Sequence, residues 1–424
     1  MEHSNGTNKT FQLICYLLFL SFITGLIFSF RAVSSISTGG LLFTGLIFNR
    51  SFFHSLWEEK NILFFISVSL LFSLMPVISL FYTGNQEKSI SDAIIQSSVF
   101  LTPIAIYSTG YLNSNTTKKI LEAFCVLLVL ASLYCLANAI ADYQHSGDSS
   151  IFFYHRLVHP IRHHAVYFSI LVFMAIVFCG ESIIENNTRK KWLYIVAALF
   201  FSAMLFLLSS KLVIAFFVIY LFYFLIIFFK KGKVQWKAWL SVVILIVLTT
   251  CLALFTKNPV SNRFADLLEG ETNTLNKDQY SADDYFNGLQ FRLLQWKLVP
   301  EILNENKAWV AGVSPGDAQA KLNEKYISKK MYAGDPQHND PGYLLYNTHN
   351  QFLQSLLENG IIGLMIFIFY FFSIIKMTWQ DKKPKGMAFV ILLLLAFAFT
   401  ESVLKTQYGI IIFSFLPLLV YKRS

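Results

Sequence analysis

Charge is what this chain has least of. Asp, Glu, Lys and Arg together make up 14% of 424 residues, too few to clothe a water-soluble domain, where about a quarter of residues are charged. Cysteine is also scarce: there are five, none in a CxxC pair, and no histidine spacing suits a metal beside them. Cys15, Cys125, Cys135, Cys179 and Cys251 all lie in apolar runs and read as buried thiols, so a disulfide framework is excluded. No small-residue cleavage site follows the first apolar run. With Lys9 before it, that run reads as a retained helix and not a secretory signal. No repeated half is evident either, which weighs against a carrier built from two similar six-helix halves.

What fills the chain is hydrocarbon: 55% of residues are hydrophobic, 43 are Phe, and the mean hydropathy is +0.53. The formal net charge is +9, but the basic residues stand in short clusters between apolar runs. That pattern is positive-inside topology, and it excludes nucleic acid as a partner. Runs long enough to span a hydrocarbon core of about 30 Å begin near Phe11, Ala32, Ile62, Ala93, Lys119, Ala165, Trp192, Leu212, Trp239, Gln351, Met387 and Gln407. The expected fold is an all-α membrane protein of about twelve transmembrane helices. With the N-terminus inside, one set of short loops carries eighteen Lys and Arg and the other six, so both termini are expected in the cytoplasm.

The chain then divides into residues 1–256 with helices one to nine, a large extracytoplasmic segment over 257–350, and residues 351–424 with helices ten to twelve. The early part of the segment, EGETNTLNKDQYSADD, is polar. From Phe286 to Leu303, apolar residues recur at helical spacing behind an acidic start, which predicts a helix near 285 to 304. Gly312, Pro315 and Gly316 predict a turn, with Asp317 placed to cap a second, more polar helix.

The stretch from Asn347 to Phe369 joins a polar loop to a membrane-length run. Thr348 and Gln351 have capping-box spacing, which predicts Thr348 as N-cap and His349 as the first helical residue. The positive end of the helix would then favour a neutral imidazole, the form a general base needs. Gly360 and Gly363, one turn apart, would let another transmembrane helix approach closely.

Sorted by side, the uncommon charged residues gather on the outer face with His349. Lys211 follows Ser209 and Ser210 in a short connection, where an ionisable group is costly. Arg263 and Arg292 lie in the large segment. Glu401 and Lys405 stand four residues apart, the spacing of a helical ion pair. The tract HRLVHPIRHH, from His155 to His164, holds four histidines. No carboxylate or cysteine stands among them, and Pro160 with two arginines favours an anionic head-group site over a metal site. A neutral histidine among cations at a membrane surface suits a lipid-linked pyrophosphate: cations stabilise the departing phosphates while the base takes a proton from an incoming hydroxyl.

His349-Asn350, nine residues, Gly360, two residues and Gly363 reproduce the H-N-x9-G-x-x-G pattern of the O-antigen ligase and polymerase superfamily, which this chain resembles over residues 160 to 420. Arg292 with Trp296, then Gly312-Val-Ser-Pro-Gly316, resembles the family's loop segment, and the stretch from Glu401 to Gly409 resembles its terminal helix pair. The resemblance implies transfer of a glycan from undecaprenyl pyrophosphate at the periplasmic face of a bacterial inner membrane, with no cofactor and no required metal. It implies His349 as the base and Arg292 as a pyrophosphate ligand, assisted by Arg263 and Lys211 and supported by Asn350, Gly360, Gly363 and Glu401. Where the family often has Ser-Arg, this chain has Ser210-Lys211, which keeps the charge but loses the two-pronged geometry. The acceptor is left open among lipid A core, a further repeat unit and a protein hydroxyl, giving a ligase, a polymerase or a protein O-oligosaccharyltransferase. A polysaccharide flippase is the rival from a different class.

Overall fold

In hydrocarbon every backbone N–H and C=O must be satisfied within the segment, so long apolar runs become helices. The computed structural model describes residues 2–185, 191–232, 277–281, 284, 286–335, 337, 340, 342–379 and 386–422. In chain order its helices are α1 (Glu2–Ile27), α2 (Arg31–Phe48), α3 (Phe52–Glu58), α4 (Lys60–Ser79), α5 (Gln86–Ser108), α6 (Ser114–Ser146), α7 (Tyr154–Val158) and α8 (Ala165–Glu185). They continue with α9 (Lys191–Leu208), α10 (Lys211–Gly232), α11 (Gly288–Glu305), α12 (Ala318–Ser328), α13 (Gln351–Thr378), α14 (Met387–Ala398) and α15 (Gln407–Lys422).

Among the described residues, nine helices are long and apolar enough to cross a membrane: α1, α2, α4, α5, α6, α8, α9, α10 and α13. The apolar α14 and α15 are shorter. The chain is thus all-helical and multi-pass in character, and eleven of the twelve anticipated runs fall on helices. The run from Trp239, residues 257–276, Arg263 and Cys251 lie outside the described residues. The other four cysteines are buried.

Two cores hold the molecule together. The larger fills the bundle, with α8 at its centre and nearly all of its side chains buried. The smaller belongs to the polar segment: Phe291, Leu294, Leu298, Ile302 and Leu303 of α11 pack on Leu322 and Tyr326 of α12 and on Leu356 and Leu357 of α13. The predicted helix near 285 to 304 is α11. Its start is set not by an acidic residue but by a capping box in which Asn287 accepts from the Gln290 N–H and Gln290 returns the bond. Asp317 does occupy the N-cap of α12, but its carboxylate does not cap. It accepts instead from the Gly84 N–H at 2.8 Å and from the hydroxyls of Thr83 and Ser314, fastening the polar segment to the turn between α4 and α5.

α13 is shared between the two cores because it is broken. Gly360 has φ 62 and ψ −158 inside it, a conformation open essentially to glycine alone. The break frees carbonyls before it and N–H groups after it, and the 309–314 loop of the polar segment takes both. Val313 and Ser314 donate to the carbonyls of Leu357 and Glu358 at 2.9 and 3.0 Å, while Ile361 donates to the Trp309 carbonyl at 2.8 Å. A Cβ on Gly360 would stand 2.3 Å from the Val310 carbonyl, and one on Gly312 equally close to Glu358. Gly363 faces Asn359 of its own helix. Contrary to the expectation, the glycine pair does not receive a second transmembrane helix. Gly360 receives a loop, because its backbone leaves the helix.

Candidate active site

The polar segment, the 147–164 turn and the 399–406 turn meet above the bundle, and His349 lies where they meet. The expected cap is displaced by two residues. Asn350, in extended conformation, is the N-cap of α13, and its side chain accepts from the N–H groups of Phe352 and Leu353 at 2.9 and 3.1 Å. His349 precedes the helix with φ 43, so the positive helix end is met by Asn350 and not by the imidazole. A short amide side chain reaches two N–H groups from the cap, and the residue before it must turn out of line. That left-handed turn costs on the order of 1–3 kcal/mol for a non-glycine and is held by neighbours. The His349 N–H donates to Asn347 Oδ1, which also accepts from Ser402 Oγ. Thr348 Oγ1, rather than capping, donates to the Asn350 carbonyl and to Gln354 Oε1.

The imidazole is aimed by a carboxylate. His349 Nδ1 stands 3.0 Å from Glu401 Oε2, and the other oxygen of Glu401 receives Arg292 Nη2 at 3.1 Å. Arg292 is fixed further by Nε to the Thr400 carbonyl at 3.1 Å and Nη1 to the Gly288 carbonyl at 2.8 Å. The three side chains are 22–29% exposed, shielded enough for their charges to matter yet open to a substrate. Desolvation pushes the Glu401 carboxyl up, but the hydrogen bond and charge of His349, then Arg292, outweigh it and hold the group below the ordinary carboxylate range. An ionised Glu401 accepts the Nδ1 proton and leaves the lone pair on Nε2. Arg292 spends one N–H from each of its three nitrogens, so two of its five remain for an anion.

Glu401 and Lys405 do not pair with each other. The chain between them is a turn and a short 3₁₀ stretch, so the helical spacing is never realised. Lys405 instead bonds Asp92 Oδ2 and Glu358 Oε1, both at 2.7 Å, below the site. Gln354 Nε2 donates to Glu358 at 2.7 Å while Gln354 Oε1 takes the Thr348 hydroxyl. Hydrogen bonds thus run from this buried cluster to the residue beside His349.

Of the residues singled out from sequence, His349, Arg292, Glu401 and Asn350 converge. Gly360 and Gly363 lie further along α13, and Lys211 opens α10 after the buried Ser209 and Ser210. The end of the histidine tract reaches the site. His164 interacts electrostatically with Glu401 and His349, and desolvation, with His155 next, holds it down to about 4. Its ring lies 4.4 Å from that of His155. Among the described residues no three His, Cys, Asp or Glu are grouped to hold a metal ion. Sequence reasoning missed Tyr346, whose ring lies 5.5 Å from His349, and the Asn347, Ser402 and Gln354 scaffold. Their only signal was polarity at a membrane boundary.

No curated protein matches the chain. A family model described as O-antigen ligase matches residues 195–368, a narrower stretch than the resemblance at 160 to 420. It contains Arg292, His349, Asn350, Gly360 and Gly363 but not Glu401 or the histidine tract. Through residues 195–368, with the broken helix and the histidine before it, this chain resembles the O-antigen ligase superfamily.

Proposed function

We propose that this protein is an O-antigen ligase-like glycosyltransferase that moves a glycan from undecaprenyl pyrophosphate to an acceptor hydroxyl. The observation that carries the reading is the single carboxylate of Glu401 holding His349 through Nδ1 and Arg292 through Nη2, within reach of a membrane bundle. His349 Nε2 takes the proton of the acceptor hydroxyl as its oxygen attacks the anomeric carbon. The bond from that carbon to the pyrophosphate oxygen breaks, and the leaving group departs with the electron pair. The two remaining N–H groups of Arg292 stabilise the charge that develops there, with Arg263 and Lys211 assisting. Cationic side chains do the work a metal would otherwise do, so the transfer needs none. The protein sits in a bacterial inner membrane with both termini in the cytoplasm and the site on the periplasmic face, where lipid-linked donor and acceptor meet. Polymerisation of repeat units and protein O-glycosylation use the same site with other acceptors.

The test is an assay with purified protein, lipid-linked donor and acceptor. His349→Ala abolishes transfer while the protein stays folded. Arg292→Ala lowers kcat by on the order of a hundredfold or more with a smaller effect on donor KM, and Arg292→Lys recovers part of it. EDTA leaves the rate unchanged. A rate lost in EDTA and restored by a divalent ion would overturn the metal-free mechanism, and near-normal transfer by His349→Ala would remove His349 from it. Deleting the gene and examining surface glycans for unlinked lipid-carried chains, shortened chains or unglycosylated protein identifies the acceptor. Sugar-specific export without transfer would favour the flippase.

A further inference from the structure

Beside the His349, Glu401 and Arg292 constellation the polar segment carries an aromatic cleft of about 390 Å³, lined by Phe286, Phe291, Tyr332, Asp340, Tyr343 and Tyr346. Small-molecule sites run from about 300 to 1,000 Å³. The cleft is built, not incidental. The Phe291 and Tyr343 rings stack at 4.9 Å, Tyr346 meets Phe291 edge-on at 5.4 Å, and Phe286 meets Tyr343 edge-on at 5.7 Å. Its far wall is made by Tyr332, Asp340 and Tyr343, held by the Tyr343 N–H to the Tyr332 carbonyl at 3.0 Å and by the mutual bonds of Asp335 and Asp340. Phe286 and Phe291 are buried beneath, whereas Tyr346 and Asp340 are exposed. Tyr346 also faces the His349 ring at 5.5 Å, so the cleft ends at the base.

We infer that this cleft is the acceptor subsite and that it takes the sugar rings of a carbohydrate acceptor. The inference rests on the transfer reading above. The C–H faces of a pyranose stack on aromatic rings, and its hydroxyls donate to a carboxylate such as Asp340. Among the described lining residues none is Lys, Arg or His, and Asp340 repels anions, so the cleft does not suit the pyrophosphate end of a donor. In a direct displacement the attacking hydroxyl and the leaving phosphate lie on opposite faces of the anomeric carbon. The cleft ends at the base and is therefore the attacking side. A lipid acceptor reaches the same base through the sugar it bears, so the cleft favours a carbohydrate acceptor over a protein hydroxyl.

The test is the split of KM values in full-length protein in lipid nanodiscs. Stacking on one ring is worth about 1 kcal/mol, so Tyr346→Ala is expected to raise acceptor KM about fivefold while donor KM stays constant. Tyr346→Trp restores it, and Asp340→Asn raises acceptor KM without altering the melting temperature. A rise in donor KM instead, or acceptor KM unchanged in all variants, would overturn the assignment. A second arm needs no turnover: equilibrium binding of oligosaccharides freed by mild acid from the producing cell's own surface glycans. Binding by the wild type that is weakened by Tyr346→Ala and kept by Tyr346→Trp supports the cleft even if no transfer is seen, in which case the transfer reading alone fails. Absence of binding, or equal binding by all variants, overturns the cleft.

Discussion

At the scale of residues, one carboxylate organises the chemistry. Glu401 accepts hydrogen bonds from His349 Nδ1–H and from Arg292 Nη2–H, so a change there disturbs base and cation together. Glu401→Gln keeps the shape but removes the charge, and its amide can present N–H₂ to Nδ1, which shifts the lone pair away from Nε2. The expected outcome is a fall in kcat of on the order of a hundredfold or more, with acceptor KM little changed. Steady-state kinetics on a variant of normal melting temperature checks it. His163 supplies a pH dependence of stability. Buried, with Nε2 unpartnered, it is held neutral by desolvation down to about 4 against an ordinary 6.5. Between those values the unfolded chain binds a proton that the folded chain refuses, so stability falls as pH falls. From pH 7 to pH 5 the loss is about 2 kcal/mol. Thermal unfolding at both pH values should show a smaller loss in His163→Phe than in the wild type.

At the scale of elements, the broken α13 explains why a polar segment sits firmly on a membrane bundle. A continuous helix would offer the 309–314 loop no free carbonyl or N–H. The break at Gly360 offers both, and Leu356 and Leu357 before it pack into the segment's own core. Gly360→Ala places a methyl 2.3 Å from the Val310 carbonyl in a backbone region closed to alanine. A loss of about 3 kcal/mol or more follows. Limited proteolysis should then cut near Trp309 and Val310, which the wild type protects. Beneath the break, Lys405 bonds both Asp92, which Lys88 also pairs at 3.0 Å, and Glu358, and ties α5, α13 and the 399–406 turn together. Removing one partner of such a buried group leaves an uncompensated charge, worth about 3–5 kcal/mol. Its link through Gln354 to Thr348 makes the cluster a support for the His349 turn.

At the scale of the whole molecule, contacts sort the turns by end. Residues 83–84 meet Asp317, and Ser29 and Arg31 meet Tyr408, at the end that holds His349. At the other end Glu59 binds Lys422, and Asn49 binds the Ser108 carbonyl. Reporters fused after Lys118 and Lys191 are expected to read cytoplasmic, and one inserted near Lys321 extracytoplasmic. A cytoplasmic signal near Lys321 would put the proposed site on the wrong side for a periplasmic transfer.

What the sequence by itself determined was the material and its periodicity. Long apolar runs leave the backbone no choice but helix, so eleven of the anticipated runs and the helix near 285 to 304 were legible, as was His349 through its fixed distance to two glycines. What only the tertiary structure decided were the partners. Glu401 and Lys405 look like a helical pair because spacing presumes a helix, and the chain turns there, sending one to His349 and the other to Asp92 and Glu358. Asn350 outcompetes Thr348 as cap because its amide reaches two N–H groups once His349 turns left-handed, a backbone choice no side-chain pattern states. Gly360 reads as a packing glycine until a loop from 50 residues upstream is seen to fill the break it makes. Local patterns are written by covalent neighbours, whereas an active site is made of contacts between residues far apart in the chain, and those depend on how the helices close.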